Sequence, residues 1–251
     1  MKVSLCIEPL FEDVDFYERF DLAKEAGVDA VEFWEPEKFD AKKLAAASAR
    51  TGLPITACCL FDGRDTTLNC SWDEIKPNLE KTIEFGLECG CKTFIGLTGN
   101  VEAKIDTQKI VILENLKRIA EVCEKTGTRV VLEALNTMTD HLGYYLDSSY
   151  SGLELVRAVN SPSVKFLYDM YHMQLMEGNL VGSLTKNIKS IGHLHSAGVP
   201  GRHELHNGEI NYPFVLSKVE EAGYDGYFGL EYFPTYDNMQ SLKDILKYIG
   251  K

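Results

Sequence analysis

Four apolar segments in the second half of the chain each run into a side chain that can bind a divalent cation: Val130-Val-Leu-Glu133, Val164-Lys-Phe-Leu-Tyr-Asp169, Ile191-Gly-His-Leu-His195 and Tyr227-Phe-Gly-Leu-Glu231. If each segment is a parallel strand, the four terminal side chains meet at one end of one barrel. Three hard carboxylates and one imidazole suit Mn²⁺ or Mg²⁺, admit Co²⁺ or Zn²⁺, and leave coordination positions for a substrate. Glu133, directly after a continuous apolar run, is either a functional group at the end of a buried strand or one half of a salt bridge. Asp169 and His172 form a D-x-x-H step, in which Asp169 reads as a metal ligand or as a helix cap, with His172 turned toward substrate. His193 and His195 alternate along one strand and share a face, and four of the six histidines (His193, His195, His203, His206) fall within fourteen residues. Glu231, ending the last strand, can face Glu133, and two carboxylates flanking one carbon serve as base and acid for proton shuffling.

The elements that must position these groups are short apolar runs alternating with longer amphipathic stretches. Strands are expected over residues 3–8, 30–34, 55–60, 93–97, 129–134, 165–169, 191–197 and 226–231. Helices are expected near residues 13–26, 40–51, 73–89, 107–126, 149–159, 174–189, 211–222 and 238–249. Several close on a glycine (Gly27, Gly52, Gly127, Gly223), which takes the left-handed conformation that a helix exit needs. The phrases Glu25-Ala-Gly-Val-Asp-Ala30, Glu88-Cys-Gly-Cys-Lys92 and Glu221-Ala-Gly-Tyr-Asp-Gly226 recur at helix-to-strand junctions as a weak internal repeat. No linker or charge block interrupts the rhythm. The expected class is α/β, a single (β/α)₈ TIM barrel over residues 1–251, with a doubly wound sheet as runner-up. Either way, chemistry gathers at the carboxyl ends of the strands. Glu8 and Glu32, on early strands, either line the pocket or satisfy a loop, and Trp34 and Phe61 are candidates for its substrate-binding wall.

Composition narrows the partners. The 251 residues are 45% hydrophobic and 25% charged, enough apolar material for a sizeable core. With 26 basic and 38 acidic residues the net charge is −12, which opposes binding to nucleic acid or an anionic membrane surface and favours a small-molecule substrate. The start, Met1-Lys-Val-Ser-Leu-Cys-Ile-Glu8, turns polar too early for a signal peptide, and no run has the roughly 18 apolar residues of a membrane span, so a cytoplasmic location is expected. Seven cysteines in strand-like and helix-like runs read as buried reduced thiols. Without a G-x-G-x-x-G or Walker loop, an unphosphorylated substrate is expected. Homo-oligomerisation is left open.

The pieces Leu132-Glu-Ala-Leu-Asn136, Tyr168-Asp-Met-Tyr-His172, Gly192-His-Leu-His-Ser-Ala197, Gly201-Arg-His-Glu204, Gly208-Glu-Ile-Asn-Tyr212 and Leu230-Glu-Tyr-Phe-Pro234 resemble those of the hydroxypyruvate isomerase family. That family belongs to the xylose isomerase-like barrels, together with the ketose 3-epimerases. The close resemblance spans roughly residues 129–234, and the first half resembles the family only in its β/α rhythm. The resemblance implies one divalent metal ion on Glu133, Asp169, His195 and Glu231, with Glu133 and Glu231 doubling as the catalytic acid/base pair and His172 and Arg202 holding substrate oxygens. It further implies isomerisation of a small hydroxy-keto acid or ketose through a cis-enediolate. Two positions depart from the pattern. His195 is the ketose 3-epimerase residue where hydroxypyruvate isomerases usually carry glutamine, and Phe233 replaces an often basic residue. The alternative is therefore a ketose 3-epimerase. An endonuclease IV-like DNA repair enzyme is disfavoured by the acidic charge, and a non-catalytic sugar-binding barrel by the intact glutamate pair.

Overall fold

The structure, a computed structural model, describes residues 1–61 and 66–251. Its strands are β1 (Lys2–Cys6), β2 (Ala30–Glu32), β3 (Cys58–Cys59), β4 (Thr93–Gly96), β5 (Arg129–Glu133), β6 (Val164–Asp169), β7 (Ile191–Ser196) and β8 (Tyr227–Leu230). All pair in parallel in one sheet, in the order β2-β1-β8-β7-β6-β5-β4-β3. The two outer strands in that order come back together. Val31 N donates to Pro54 O at 3.0 Å, Thr56 N to Val31 O at 2.8 Å, and Cys59 N to Trp34 O at 3.1 Å. These bonds nearly close the sheet on itself, so the expected (β/α)₈ barrel is found and the doubly wound sheet is not.

Around the barrel, among the described residues, run α1 (Arg19–Ala26), α2 (Ala41–Thr51), α3 (Trp72–Cys89), α4 (Asp106–Thr126), α5 (Ser149–Val159), α6 (Met170–Met176), α7 (Leu180–Asn187), α8 (Tyr212–Glu221) and α9 (Asn238–Tyr248). Two differ from the sequence reading. The helix expected from residue 13 begins only at Arg19, because the preceding residues form turns that this side chain ties down. Arg19 Nη1 donates to the carbonyls of Ile7 (3.1 Å), Glu8 (2.8 Å) and Leu10 (3.0 Å), and Nε donates to Val14 O at 3.2 Å. The helix expected over residues 174–189 is two helices. Gly178 (φ 67°) and Asn179 (φ 48°) are left-handed and break it, and the first half starts earlier because the Asp169 carboxylate accepts from Tyr171 N and His172 N.

The main apolar core lies between sheet and helices. Inside the barrel, Ala57, Cys59, Ile95, Val131 and Leu167 from β3 to β6 and their flanks form a separate apolar layer. The opposite side of the interior is polar, with Ser4, Glu32, His193 and His195 all buried. The seven cysteines form no disulfide, and no helix of the described residues is long and apolar enough to cross a membrane.

Helix α5 packs so closely on β6 that Gly152 has no room for a side chain: a Cβ there would fall well inside contact distance of the Phe166 ring. Exposed Gly→Ala in a helix gains up to about 1 kcal/mol, whereas overpacking a core costs about 1–3 kcal/mol. Gly152→Ala should therefore be destabilising by about 1–2 kcal/mol on balance in urea unfolding; a stabilised variant would show that this helix can move off the sheet.

Candidate active site

Strand register brings the chemistry together. Asp169 pairs with His195, and His195 with Gly229, two residues before Glu231, while Glu133 ends β5 on the other side of β6. The four groups Glu133, Asp169, His195 and Glu231 offer ligating atoms that all lie within 4.8 Å of one another. His195 Nδ1 stands 3.3 Å from Glu231 Oε2 and 3.8 Å from Glu133 Oε1. All four residues are at most 5% exposed.

Each carboxylate is held differently. Asp169 is both the cap and the site residue that the sequence posed as alternatives: Oδ1 accepts from Tyr171 N at 2.7 Å and His172 N at 3.2 Å, and Oδ2 remains for the cluster. Glu231 accepts from Trp34 Nε1 and, at 2.5 Å, from Arg202 Nη2. Glu133 is placed by Tyr144, whose hydroxyl donates to its backbone carbonyl at 3.3 Å and accepts from Thr98 N at 2.9 Å. Its Oε1 has no hydrogen-bond partner among the described residues, and neither does His195 Nδ1.

The electrostatics follow from this crowding. Burial and then the nearby Glu231 push the Asp169 carboxyl up to about 7. Burial likewise raises Glu133, with Glu231 again adding to it. Burial would raise Glu231 as well, but Arg202 and His195 beside it hold it well below the ordinary carboxylate range. Three buried carboxylates with a bare imidazole nitrogen and a partnerless oxygen aimed at a common point form a donor set suited to a hard divalent cation. The residues present fit such an ion.

Behind His195 sits Glu32, which the sequence offered as a pocket or loop residue. Its carboxylate meets His193 Nε2 at 2.8 Å, lies 2.9 Å from His195 Nε2, and accepts from Thr56 Oγ1 at 3.1 Å. Glu8 satisfies a loop, its Oε2 accepting from Trp34 N at 2.7 Å and Glu35 N at 3.2 Å.

Glu133 and Glu231 of the cluster line a cavity of 650 Å³ whose wall also includes Trp34, Leu97, His141, Tyr144, Arg202 and Phe233. Arg202, with φ 61°, is a left-handed non-glycine residue whose guanidinium lies between the rings of Tyr171 (5.6 Å) and Phe233 (5.8 Å). Its loop is stitched to the end of β8: Phe233 N donates to Arg202 O at 2.8 Å, and the Glu204 carboxylate accepts from Thr235 N, Thr235 Oγ1 and Ser241 Oγ at 2.7–2.9 Å. Arg202 is thus a half-buried part of the cavity wall and not an exposed surface arginine. His172 is fully buried, with Nε2 3.6 Å from Asp169 Oδ2. Trp34 lines the cavity. Phe61 does not; it lines a separate depression with Pro36, Asn78 and Phe85. Sequence reasoning gave no role to His141 and Tyr144, which lie in the loop beyond β5, or to Asn136, which stands three residues after that strand in the piece Leu132-Glu-Ala-Leu-Asn136.

A family described as the xylose isomerase-like TIM barrel matches residues 20–250. The chain belongs to that family. It is 30% identical to the hydroxypyruvate isomerase of Escherichia coli (strain K12), over 93% of this chain and 94% of the relative. It is also 30% identical to the 2-oxo-tetronate isomerase of Haemophilus influenzae, over 98% of this chain and 99% of the relative. Among solved structures, one called AP endonuclease, family 2, from Brucella melitensis superposes with a TM-score of 0.93 at 31% identity, covering 99% of both chains. An L-ribulose 3-epimerase superposes at 0.84 with 21% identity over 100% of this chain and 94% of that one, a likeness of fold.

Gly229 lets the second layer approach the first. A Cβ there would meet Glu32 Oε1 at 2.5 Å and His195 Cδ2 at 2.6 Å. Gly229→Ala should destabilise the protein by about 1–3 kcal/mol and displace His195, read by urea unfolding and by the histidine ring signals in NMR. An unshifted His195 ring would show that the contact is not tight.

Proposed function

We propose that the chain is a divalent-metal-dependent isomerase of a small hydroxy-keto acid or short ketose, acting through a cis-enediolate. The observation that carries this is the pair Glu133 and Glu231, two buried carboxylates that both face His195 Nδ1 on the floor of the cavity. Glu133, Asp169, His195 and Glu231 would hold the ion, which when bound supplies a Lewis acid for the substrate carbonyl and neighbouring hydroxyl.

The remaining chemistry belongs to the side chains. One glutamate removes the proton from the carbon beside the carbonyl and the other returns a proton, as a flanking acid/base pair allows. Glu231 is fixed by Trp34 and Arg202, whereas Glu133 keeps an oxygen without a partner and is the one able to turn toward substrate. Arg202 is the one Arg or Lys among the described residues that line the cavity, so a single anionic or oxygen-rich end of the substrate is met there. Trp34 and Phe233, with ring centroids 6.2 Å apart, close the apolar side and keep water from the intermediate. The names of the relatives that span the whole chain favour isomerisation.

Two measurements test this. With hydroxypyruvate, 2-oxo-tetronates and free C3 to C6 ketoses in D₂O, NMR should show deuterium entering beside the carbonyl, and Glu133→Gln and Glu231→Gln should each slow exchange by about 10²–10⁴-fold. Full exchange in both variants would remove the pair. Exchange confined to C3 with the ketone retained would favour the 3-epimerase alternative. Stripping the protein with a chelator should abolish turnover and Mn²⁺ or Mg²⁺ should restore it; undiminished turnover by the stripped protein would end the metal-dependent reading.

The endonuclease reading draws support from the name of the Brucella melitensis structure, but a net charge of −12 and one cation in the cavity suit a polyanion poorly. Retardation of abasic-site DNA in a gel, without isomerase activity, would reverse the choice.

A further inference from the structure

Beside the cavity runs a chain of hydrogen bonds that the reaction outlined above does not use. Asn136 Oδ1 accepts three of them, from Thr139 N (3.0 Å), Thr139 Oγ1 (3.0 Å) and Asp140 N (3.1 Å). An amide oxygen occupied in this way fixes which end of the side chain carries the hydrogens. The NH₂ end then donates in two directions, to Asp140 Oδ2 at 2.7 Å and to His172 Nδ1 at 2.7 Å. Asp140 Oδ2 also takes the Tyr171 hydroxyl at 2.7 Å, and an ionised carboxylate can only accept. The arrangement therefore has one consistent direction, from Tyr171 and Asn136 into Asp140, and from Asn136 into His172.

The Asn136 backbone N–H adds a second donor, 3.3 Å from the same His172 Nδ1. A ring nitrogen that faces two N–H groups has no room for a hydrogen of its own. The neutral imidazole must then carry its proton on Nε2. Nε2 is buried without a hydrogen-bond partner among the described residues, 3.6 Å from Asp169 Oδ2 at the edge of the carboxylate cluster.

We propose that Asn136, aligned by Asp140, is a positioning residue that locks His172 as its Nε2–H tautomer, making the ring a hydrogen-bond donor to a substrate oxygen and barring it from taking a proton. A donor there strengthens its bond as an oxygen gains charge on the way to an enediolate, which is where such a group contributes to rate. The proton transfers at carbon are left to Glu133 and Glu231. Only the identity of the accepting oxygen rests on the isomerase reading; the tautomer does not.

The test is long-range ¹H–¹⁵N NMR of ¹⁵N-histidine-labelled protein in magnesium buffer without substrate, with His172→Gln assigning the ring. The wild type at neutral pH should show a protonated Nε2 and a bare Nδ1, and Asp140→Asn, which keeps an acceptor oxygen, should show the same. Asn136→Asp replaces the donor by an acceptor and should move the proton to Nδ1. If that variant does not fold, Asn136→Ala leaves only the backbone N–H and should give a mixture of tautomers. A charged or Nδ1-protonated ring in the wild type overturns the proposal, as does a pure Nε2–H ring in the folded Asn136 variants. In turnover of hydroxypyruvate, Asn136→Ala should lose about 10–100-fold in kcat, the usual scale for a group acting through another. Should no keto acid or ketose be turned over while the tautomer shifts occur as stated, the isomerase reading falls and this one stands.

Discussion

Three carboxylates gathered within a few ångströms in a buried barrel end repel one another, and the surroundings are arranged to hold them there. At an effective dielectric constant of about 20, two like charges 4 Å apart cost about 4 kcal/mol, and each buried ion adds several kcal/mol of lost hydration. Asp169 offsets part of this by capping α6, and Glu231 by its bonds to Trp34 and Arg202. Glu133 has the least compensation, and its bare oxygen faces the bare nitrogen of His195. Together the three carboxylates and the imidazole nitrogen are placed so that they could hold a metal ion.

The second layer explains why the first can be so exposed to repulsion without rearranging. Glu32 braces His195 and His193 from below, Asn136 braces His172 from the side, and Glu204 ties the loop that carries Arg202 to the residues after β8. None of these braces lines the cavity itself. Each holds in place a side chain or loop of the site, which is how a site keeps its geometry when its own members push apart.

Much of this was visible in the sequence, for a physical reason. A carboxylate at the end of an unbroken run such as Val130-Val131-Leu132 conflicts with its surroundings, and such conflicts concentrate where function demands them. Glu133, Asp169, His195 and Glu231 all stood out in that way, and the eight strands were set by their apolar runs. Partners with no such signature stayed hidden. Glu32 meets His193 across 161 residues of chain and Asn136 meets His172 across 36, and no local pattern carries that information. The break between α6 and α7 was legible in Gly178-Asn179 but was outweighed by the amphipathic rhythm around it.

The division of the barrel interior into an oily half and a polar half has a consequence for how the molecule is made. The oily half is contributed by β3 to β6 and their flanks, neighbours in the chain that can pack as soon as they emerge. The polar half joins β2 to β7, so Glu32 has no imidazole to meet until most of the polypeptide has been synthesised. Sealing the staves and supplying that early glutamate with its histidines are one and the same late event, and a nascent chain halted before β7 is left with an anion stranded at an open seam.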